Sequence, residues 1–435
     1  MANEKRIFAM GKILLKDVLL DGKSTSVVIA GNRYEQIGGE ICGEFAKVID
    51  GKSRLALLPA FYNTHSHLPM TLLRGYADDL ELFSWLNDHI WPAEARLTDE
   101  DIYWGTRLAL LEMLKTGSVF VNDMYWKAAE TYRAVSEMGL RAAISYFHLS
   151  PQGGLDQDAN LQGVTNLRDF AAKFPCDRIM LTRGPHAVYT VSDQAFREIA
   201  EFVRQEGCYL HIHASETRKE VEDCRAQHGG LTPIAHLHKF GLLGPKTVLA
   251  HCVHLTDEDI QLLAETQTII ATCPVSNMKL CSGMFRWRDA QAAGCRITIG
   301  TDGCASNNNL SMLDEMKFAA LSAKIQADDP TAASAAEVWT AATVAGARAF
   351  GLDAGEIAVG QLADGMLVNT DSPLMVGDYN LISNLVYSAD SSLIDTVICD
   401  GRVLMTGHHV DSEEEILDKC RQICRRLETA RQQNK

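Results

Sequence analysis

Thr247-Val248-Leu249-Ala250-His251-Cys252-Val253-His254-Leu255-Thr256-Asp257-Glu258-Asp259 carries one complete unit of the fold. Thr247–His251 reads as a short strand that ends on a histidine. Thr256-Asp257-Glu258-Asp259 then opens a helix, with a hydroxyl cap followed by acids that suit a helix N-terminus. The same strand-then-helix unit recurs on both sides. Eight strands are expected: Leu57–His65, Ser118–Asn122, Arg141–Phe147, Ile179–Gly184, Tyr209–His213, Thr247–His251, Thr268–Cys273 and Arg296–Thr301. Thr98-Asp99-Glu100-Asp101 caps a helix that runs to Gly117, and Ser192 caps another that ends near Gly207. Alternating strands and helices imply a parallel sheet, and eight repeats imply a closed (β/α)8 TIM barrel. An open doubly wound sheet is the competitor, but no GxGxxG follows a strand.

The two ends of the chain read differently. Ile13–Leu20 and Ser26–Ala30 are strand-like and flank an Asp21-Gly22 turn signal. Ala363-Asp364-Gly365, Asp400-Gly401 and the strand-like Thr396–Cys399 return to that style near the C-terminus. Residues 1–57 together with 360–435 are therefore expected to pair into a small composite β-sandwich, and residues 58–359 to form the barrel. A chain of 435 residues accommodates one large domain and a smaller one.

Composition narrows the class. With 46% apolar and 22% charged residues, the chain has the balance of a soluble globular enzyme. A formal net charge of −15 argues against non-specific attraction to nucleic acid or anionic membranes. No run of eighteen apolar residues suggests a membrane span. Lys5, Arg6, Lys12 and Lys16 interrupt Met1 to Leu20, so no signal-peptide core is expected and the cytoplasm is the default location. The twelve cysteines include no CxxC pair, and they read as reduced, mostly buried thiols. Cys420 and Cys424, one helical turn apart, read as a helix face.

Catalytic groups of such barrels gather at the C-terminal ends of the strands, and the polar residues fall there with regularity. His65 and His67 end the first expected strand, two residues apart and so on one face. His186 follows the fourth strand, His213 ends the fifth, His251 the sixth, and Asp302 follows the eighth. One histidine at a strand end is ordinary, but five with an aspartate on one rim read as a metal site. Imidazoles and a carboxylate make a nitrogen-rich set that suits one divalent ion, Zn2+ first, with Fe2+ taking the same ligands. Such an ion brings water towards deprotonation at neutral pH. Glu216 suits a helix N-terminus, but beside that site it is also the kind of group that protonates a ring nitrogen. Phe83–Trp91 reads equally as a packed helix or as a cover over a bound base.

The ordered set of motifs resembles a known family. Pro59-Ala60-Phe61-Tyr62-Asn63-Thr64-His65-Ser66-His67 and Met70-Thr71-Leu72-Leu73-Arg74-Gly75 look like the amidohydrolase superfamily. With Ala250-His251-Cys252-Val253-His254-Leu255 and Gly300-Thr301-Asp302-Gly303-Cys304-Ala305-Ser306-Asn307-Asn308, the chain is similar to the methylthioadenosine/S-adenosylhomocysteine deaminases, near the triazine hydrolases. The resemblance covers essentially the whole chain.

It implies that His65, His67, His213 and Asp302 bind one metal ion. Glu216 would carry a proton to a purine ring. His251 would polarise the attacking hydroxide, and Asp302 would pass its proton to departing ammonia. His186 would contact the base, and Glu94, otherwise a solvated loop charge, would bind the ribose hydroxyls. Dinuclear relatives carry a carboxylated lysine on the fourth strand; Ile179–His186 holds no lysine, so a single ion is expected. The implied substrate is an adenosine-type nucleoside, with guanine, pterin or triazine aminohydrolase or chlorohydrolase as the alternative. A homo-oligomer is compatible with this reading. In one departure, Ser145 to Gln162 contains neither Arg nor Lys for a homocysteine carboxylate. Uncharged 5′ groups are therefore expected to be preferred.

Overall fold

A computed structural model describes residues 11–432 apart from 81 and 378. The first ten residues and the last three of the expected terminal unit lie outside the described residues. The chain opens with five strands: β1 (Ile13–Leu20), β2 (Lys23–Ala30), β3 (Arg33–Ile37), β4 (Lys47–Asp50) and β5 (Leu55–Pro59). Eight more follow, nearly all separated by helices: β6 (Phe61–Ser66), β7 (Ser118–Asp123), β8 (Arg141–His148), β9 (Ile179–Pro185), β10 (Tyr209–Ala214), β11 (Thr247–His251), β12 (Ile269–Thr272) and β13 (Arg296–Ile299). Three last strands are β14 (Gly365–Asn369), β15 (Ile394–Cys399) and β16 (Arg402–Met405).

Strands β6 to β13 pair in sequence order, every pair parallel, in a nearly closed barrel. Contacts between the first and last strands close the seam. The Thr301 and Asp302 N–H groups donate to the His65 carbonyl, and the Thr64 and Thr298 hydroxyls meet at 2.8 Å. A Cβ added at Gly300 would lie 2.7 Å from the His65 nitrogen, so only glycine lets the two strands approach this closely. The closure places β6 beside the segment that follows β13, and thereby His65 beside Asp302.

The helix starts follow the chemistry of their caps. Thr98 and Thr256 each form a reciprocal capping box, with Asp101 and Asp259, ahead of the helices Asp99–Lys115 and Asp257–Thr266. Ser192 caps Asp193–Glu206, which ends on Gly207 at φ +61°.

The terminal strands form one mixed sheet in the order β16-β15-β14-β5-β1-β2-β3, with β4 parallel to β1. Leu15, Val18, Val27, Ile29, Tyr34, Leu57, Leu367 and Ile398 fill its own small core. The apolar run expected as one strand, Leu57–His65, is two: β5 pairs with β14 in this sheet, and β6 starts the barrel. The chain changes sheets at Ala60, directly after Pro59, which has no N–H to continue a ladder. Ala363-Asp364-Gly365, read as part of the terminal β unit, leads into β14. The Asp364 carboxylate is buried because Arg141 of β8 donates to it at 2.8 Å and Tyr62 of β6 at 2.9 Å. Arg141 also reaches Asp400 at 2.7 Å, so one buried cation ties the terminal sheet to the barrel. Cys420, buried, and Cys424, exposed, lie on the helix Glu413–Gln432, which packs against Asp99–Lys115. No described helix is long and apolar enough to cross a membrane.

Candidate active site

Strand alternation and the turns after the strands build the site. His65 and His67 leave the end of β6 on one side, and His213 occupies the same level of β10. His251 and Asp302 take left-handed backbone conformations, φ +70° and +61°, which turn their side chains towards the barrel axis. One ligand atom from each of His65, His213, His251 and Asp302 falls within 4.8 Å of all the others. His67 belongs to the same cluster. Its Nε2 lies 3.2 Å from Asp302 Oδ1 and 3.2 Å from His213 Nε2. Five of the six expected rim residues thus meet at one centre, and His186 stands in the wall above it.

Each group is held by a partner behind it. His67 Nδ1 donates to the Met124 carbonyl at 2.5 Å, and His213 Nδ1 to the His186 carbonyl at 2.7 Å. These bonds fix the tautomers and leave both Nε2 atoms facing the centre. His65 Nδ1 meets His211 Nε2 at 2.8 Å. Asp302 Oδ2 accepts from the Ser276 and Ser306 hydroxyls at 2.7 and 2.6 Å, which leaves Oδ1 for the cluster. His251 Nδ1 donates to Asn277 Oδ1 at 2.9 Å. Glu220 accepts from the backbone N–H groups of Ser215 and Glu216 and fixes the turn that presents Glu216.

The donor set fits a divalent cation. His65 Nε2 is buried, lies 3.2 Å from Asp302 Oδ1 and has no hydrogen-bond partner, a cost that a metal ligand does not incur. Burial raises the Asp302 pKa, but the facing imidazoles of His65 and His67 outweigh it and hold the carboxylate well below its ordinary value. Burial likewise lowers the His67 pKa, while Asp302 reverses the effect and carries it to about 9. The cluster therefore favours positive charge at its centre. Burial first, and then the neighbouring imidazoles, drive His213 well below the usual imidazole range, as a neutral ligand requires.

Above this floor opens a narrow cleft. Glu216 Oε2 stands 3.7 Å from His251 Nε2. Burial raises the Glu216 pKa, so its carboxyl holds a proton more readily than usual. Glu94, expected unaided to be a solvated charge, points into the cleft. Its Oε2 accepts from Trp126 Nε1 at 3.3 Å, while its Oε1, buried near the Tyr125 hydroxyl, makes no hydrogen bond of ordinary geometry among the described residues. Burial lifts its pKa to about 6. His186 lines the wall, with Nδ1 at 2.9 Å from Thr190 Oγ1. Leu82, Trp85, Leu86 and Trp91, from a run of short helical turns ending at Glu94, cover one side. Of the two readings of Phe83–Trp91, the cover fits this placement.

Sequence reasoning missed His211, Ser276, Asn277, Ser306 and Glu220. A period-two signal for His211 was present, since His211-Ile212-His213 repeats the spacing of His65 and His67. The four others only support first-line groups, and their partners lie elsewhere in the chain or one turn away.

A parallel barrel with imidazoles and a carboxylate converging at its C-terminal rim defines the class of metal-dependent hydrolases. Residues 56–404 match the amidohydrolase family model, and the chain belongs to that family. It is 43% identical to the 5-methylthioadenosine/S-adenosylhomocysteine deaminase 1 of Archaeoglobus fulgidus, over 96% of this chain and 97% of the relative. It is 44% identical to the 5'-deoxyadenosine deaminase of Methanothermobacter thermautotrophicus, over 91% of each chain. Among solved structures, an adenosine deaminase from Xanthomonas campestris with bound zinc superposes with a TM-score of 0.89. That pair is 31% identical, covering 96% of this chain and 98% of the other. Atrazine chlorohydrolase from Arthrobacter aurescens, at 22% identity, TM-score 0.85 and coverage of 95% and 100%, shares the fold.

Proposed function

We propose that this protein is a mononuclear metal-dependent deaminase that converts an adenosine-type nucleoside to the inosine-type product and ammonia. One observation carries the reading: a His/Asp cluster, the raised carboxyl of Glu216 and the buried carboxyl of Glu94 open into the same cleft. The names of the relatives above support it.

His65, His67, His213 and Asp302 would hold the ion, and Zn2+ suits this set. When bound, the ion supplies Lewis acidity that makes water a nucleophile at neutral pH. The residues of the chain direct the rest. His251, fixed by Asn277, turns Nε2 to the attacking oxygen and stabilises its negative charge. Glu216 delivers a proton to the ring nitrogen beside the carbon under attack, so that charge does not build on the purine. Asp302 takes one proton of the water and hands it to the amino group, which departs as ammonia; the proton left on the attacking oxygen is released as the carbonyl forms and restores the Glu216 carboxyl. Glu94 accepts from the two ribose hydroxyls, and this favours a nucleoside over a free guanine, pterin or triazine ring. His186 and the surrounding tryptophans hold the base and exclude water.

An adjoining cleft lined by Trp91, Ala95, Leu97, Trp126, Lys127, Leu149 and Asn160 is where a 5′ group emerges past Glu94. Among the described residues its one cation, Lys127, already pairs with Asp99 at 2.8 Å and donates to the Leu97 carbonyl. His148 of the neighbouring β8 is bound to Asp158 at 2.6 Å. Lys127 is engaged and His148 does not line this cleft, so methylthioadenosine, 5′-deoxyadenosine and adenosine fit better than S-adenosylhomocysteine. Incubating zinc-loaded protein with each compound and following purine absorbance and ammonia tests the assignment. Absence of ammonia from all four would overturn it.

A further inference from the structure

A second cluster of ligand-type groups lies outside the cleft. Asp193 begins the helix Asp193–Glu206, His228 ends Arg218–Gln227, and His236 sits in Pro233–Lys239. One ligand atom from each falls within 4.8 Å of the other two. His236 Nε2 is 3.2 Å and His228 Nδ1 3.8 Å from the same oxygen, Asp193 Oδ1. The two imidazole rings lie 3.9 Å apart, centre to centre.

The His236 ring is the telling member. It is fully buried, with Phe196 and Phe240 rings against it, yet neither ring nitrogen has a hydrogen-bond partner among the described residues. Its approach to Asp193 is close but misaligned for N–H donation. An imidazole left that way is costly, roughly 1–3 kcal/mol for each unsatisfied polar group. A neutral nitrogen lone pair that meets a cation removes the cost. His228 and Asp193, at 22% and 35% side-chain exposure, provide the route from solvent and leave room for water ligands.

We propose that Asp193, His228 and His236 form a second metal site, separate from the catalytic centre, for a borderline divalent ion of the zinc class. Two imidazoles and one carboxylate are the donors that Zn2+, Co2+ and Ni2+ favour over Mg2+ or Ca2+. The site joins two segments that reach the cleft. Asp193 lies three residues beyond Thr190, whose hydroxyl meets His186. His228 closes the helix whose Glu220 holds the backbone of Glu216. A bound ion therefore staples the His186 segment to the Glu216 helix.

The test starts from enzyme carrying one equivalent of zinc and titrates Zn2+ by calorimetry, with melting temperature followed in parallel. Wild type should take a second saturable equivalent and melt higher as it does so. H228Q and D193N, both at partly exposed positions, should each weaken the second equivalent by about tenfold or more. They should also lose the thermal gain while retaining the first ion. The proposal fails if wild type saturates at one equivalent. It fails equally if the second equivalent survives both substitutions, which would place it on thiols such as the exposed Cys42 or Cys281.

Discussion

Replacing Glu94 with alanine separates a ribose-binding role from a structural one. The carboxylate has one oxygen on Trp126 and one buried near the Tyr125 hydroxyl, facing the cleft. If it accepts from both ribose hydroxyls, two charge-assisted bonds disappear in E94A, each about 1.5–3 kcal/mol. Water entering the gap restores part of that. The expected net loss is about 10²–10³ in kcat/KM, at about 1.4 kcal/mol per factor of ten. Comparing 5′-deoxyadenosine with an analogue lacking the 2′ and 3′ hydroxyls, on wild type and E94A, makes a cycle that isolates the contact. The analogue should be poor on wild type and should lose little more on E94A. An equal fold-loss on both substrates would refute the reasoning, because Glu94 would then act through packing. The pH profile gives a second check. Burial raises the Glu94 pKa to about 6, and only the carboxylate can accept from both hydroxyls. Turnover of the nucleoside should therefore fall as pH drops through about 6, and the analogue should lack that limb.

Glu216→Gln keeps the shape but not the exchangeable proton, so kcat should drop by about 10²–10⁴-fold with zinc content unchanged by elemental analysis; wild-type kcat in this variant contradicts the proton role. His211→Gln removes the partner of His65 Nδ1 and should weaken zinc binding by about 10–100-fold in chelator competition. Undiminished affinity there would show that His65 is oriented by packing alone. S-adenosylhomocysteine should show a lower kcat/KM than methylthioadenosine; equality or reversal would mean that Lys127 leaves Asp99 for the substrate carboxylate.

The legible parts of the site and fold were those encoded within one short segment. Capping boxes at Thr98 and Thr256 announce their helices because both partners lie three residues apart. His65, His67, His213 and His251 stand at strand ends, so a strand-helix repeat placed them on one rim with no knowledge of pairing. What escaped depends on groups that meet only in three dimensions. His211 serves His65 across the barrel, 146 residues away in the chain. Ser276 and Asn277 sit in the short helix Pro274–Lys279 and look like ordinary helix residues until β12 and β13 bring them under Asp302 and His251. The switch at Ala60 was hidden for the opposite reason: Leu55 to Tyr62 is continuously apolar because both sheets bury it, so hydrophobicity shows no seam. Only Pro59 marks the place.

That switch bears on the chemistry. β5 is held by β14 in the terminal sheet, and Asp364, the residue before β14, grips Tyr62 of β6 and Arg141 of β8. The start of the first barrel strand is thus clamped from the terminal sheet, while Thr301 and Asp302 clamp its end through the His65 carbonyl. Two imidazoles that must meet one ion need their strand fixed at both ends, because a shift of one residue would send both to the other face. Seen this way, the terminal sheet is part of what aims His65 and His67. Substitutions at Asp364, far from the cleft, should then alter metal affinity as well as stability, whereas a merely structural terminal sheet would alter stability alone.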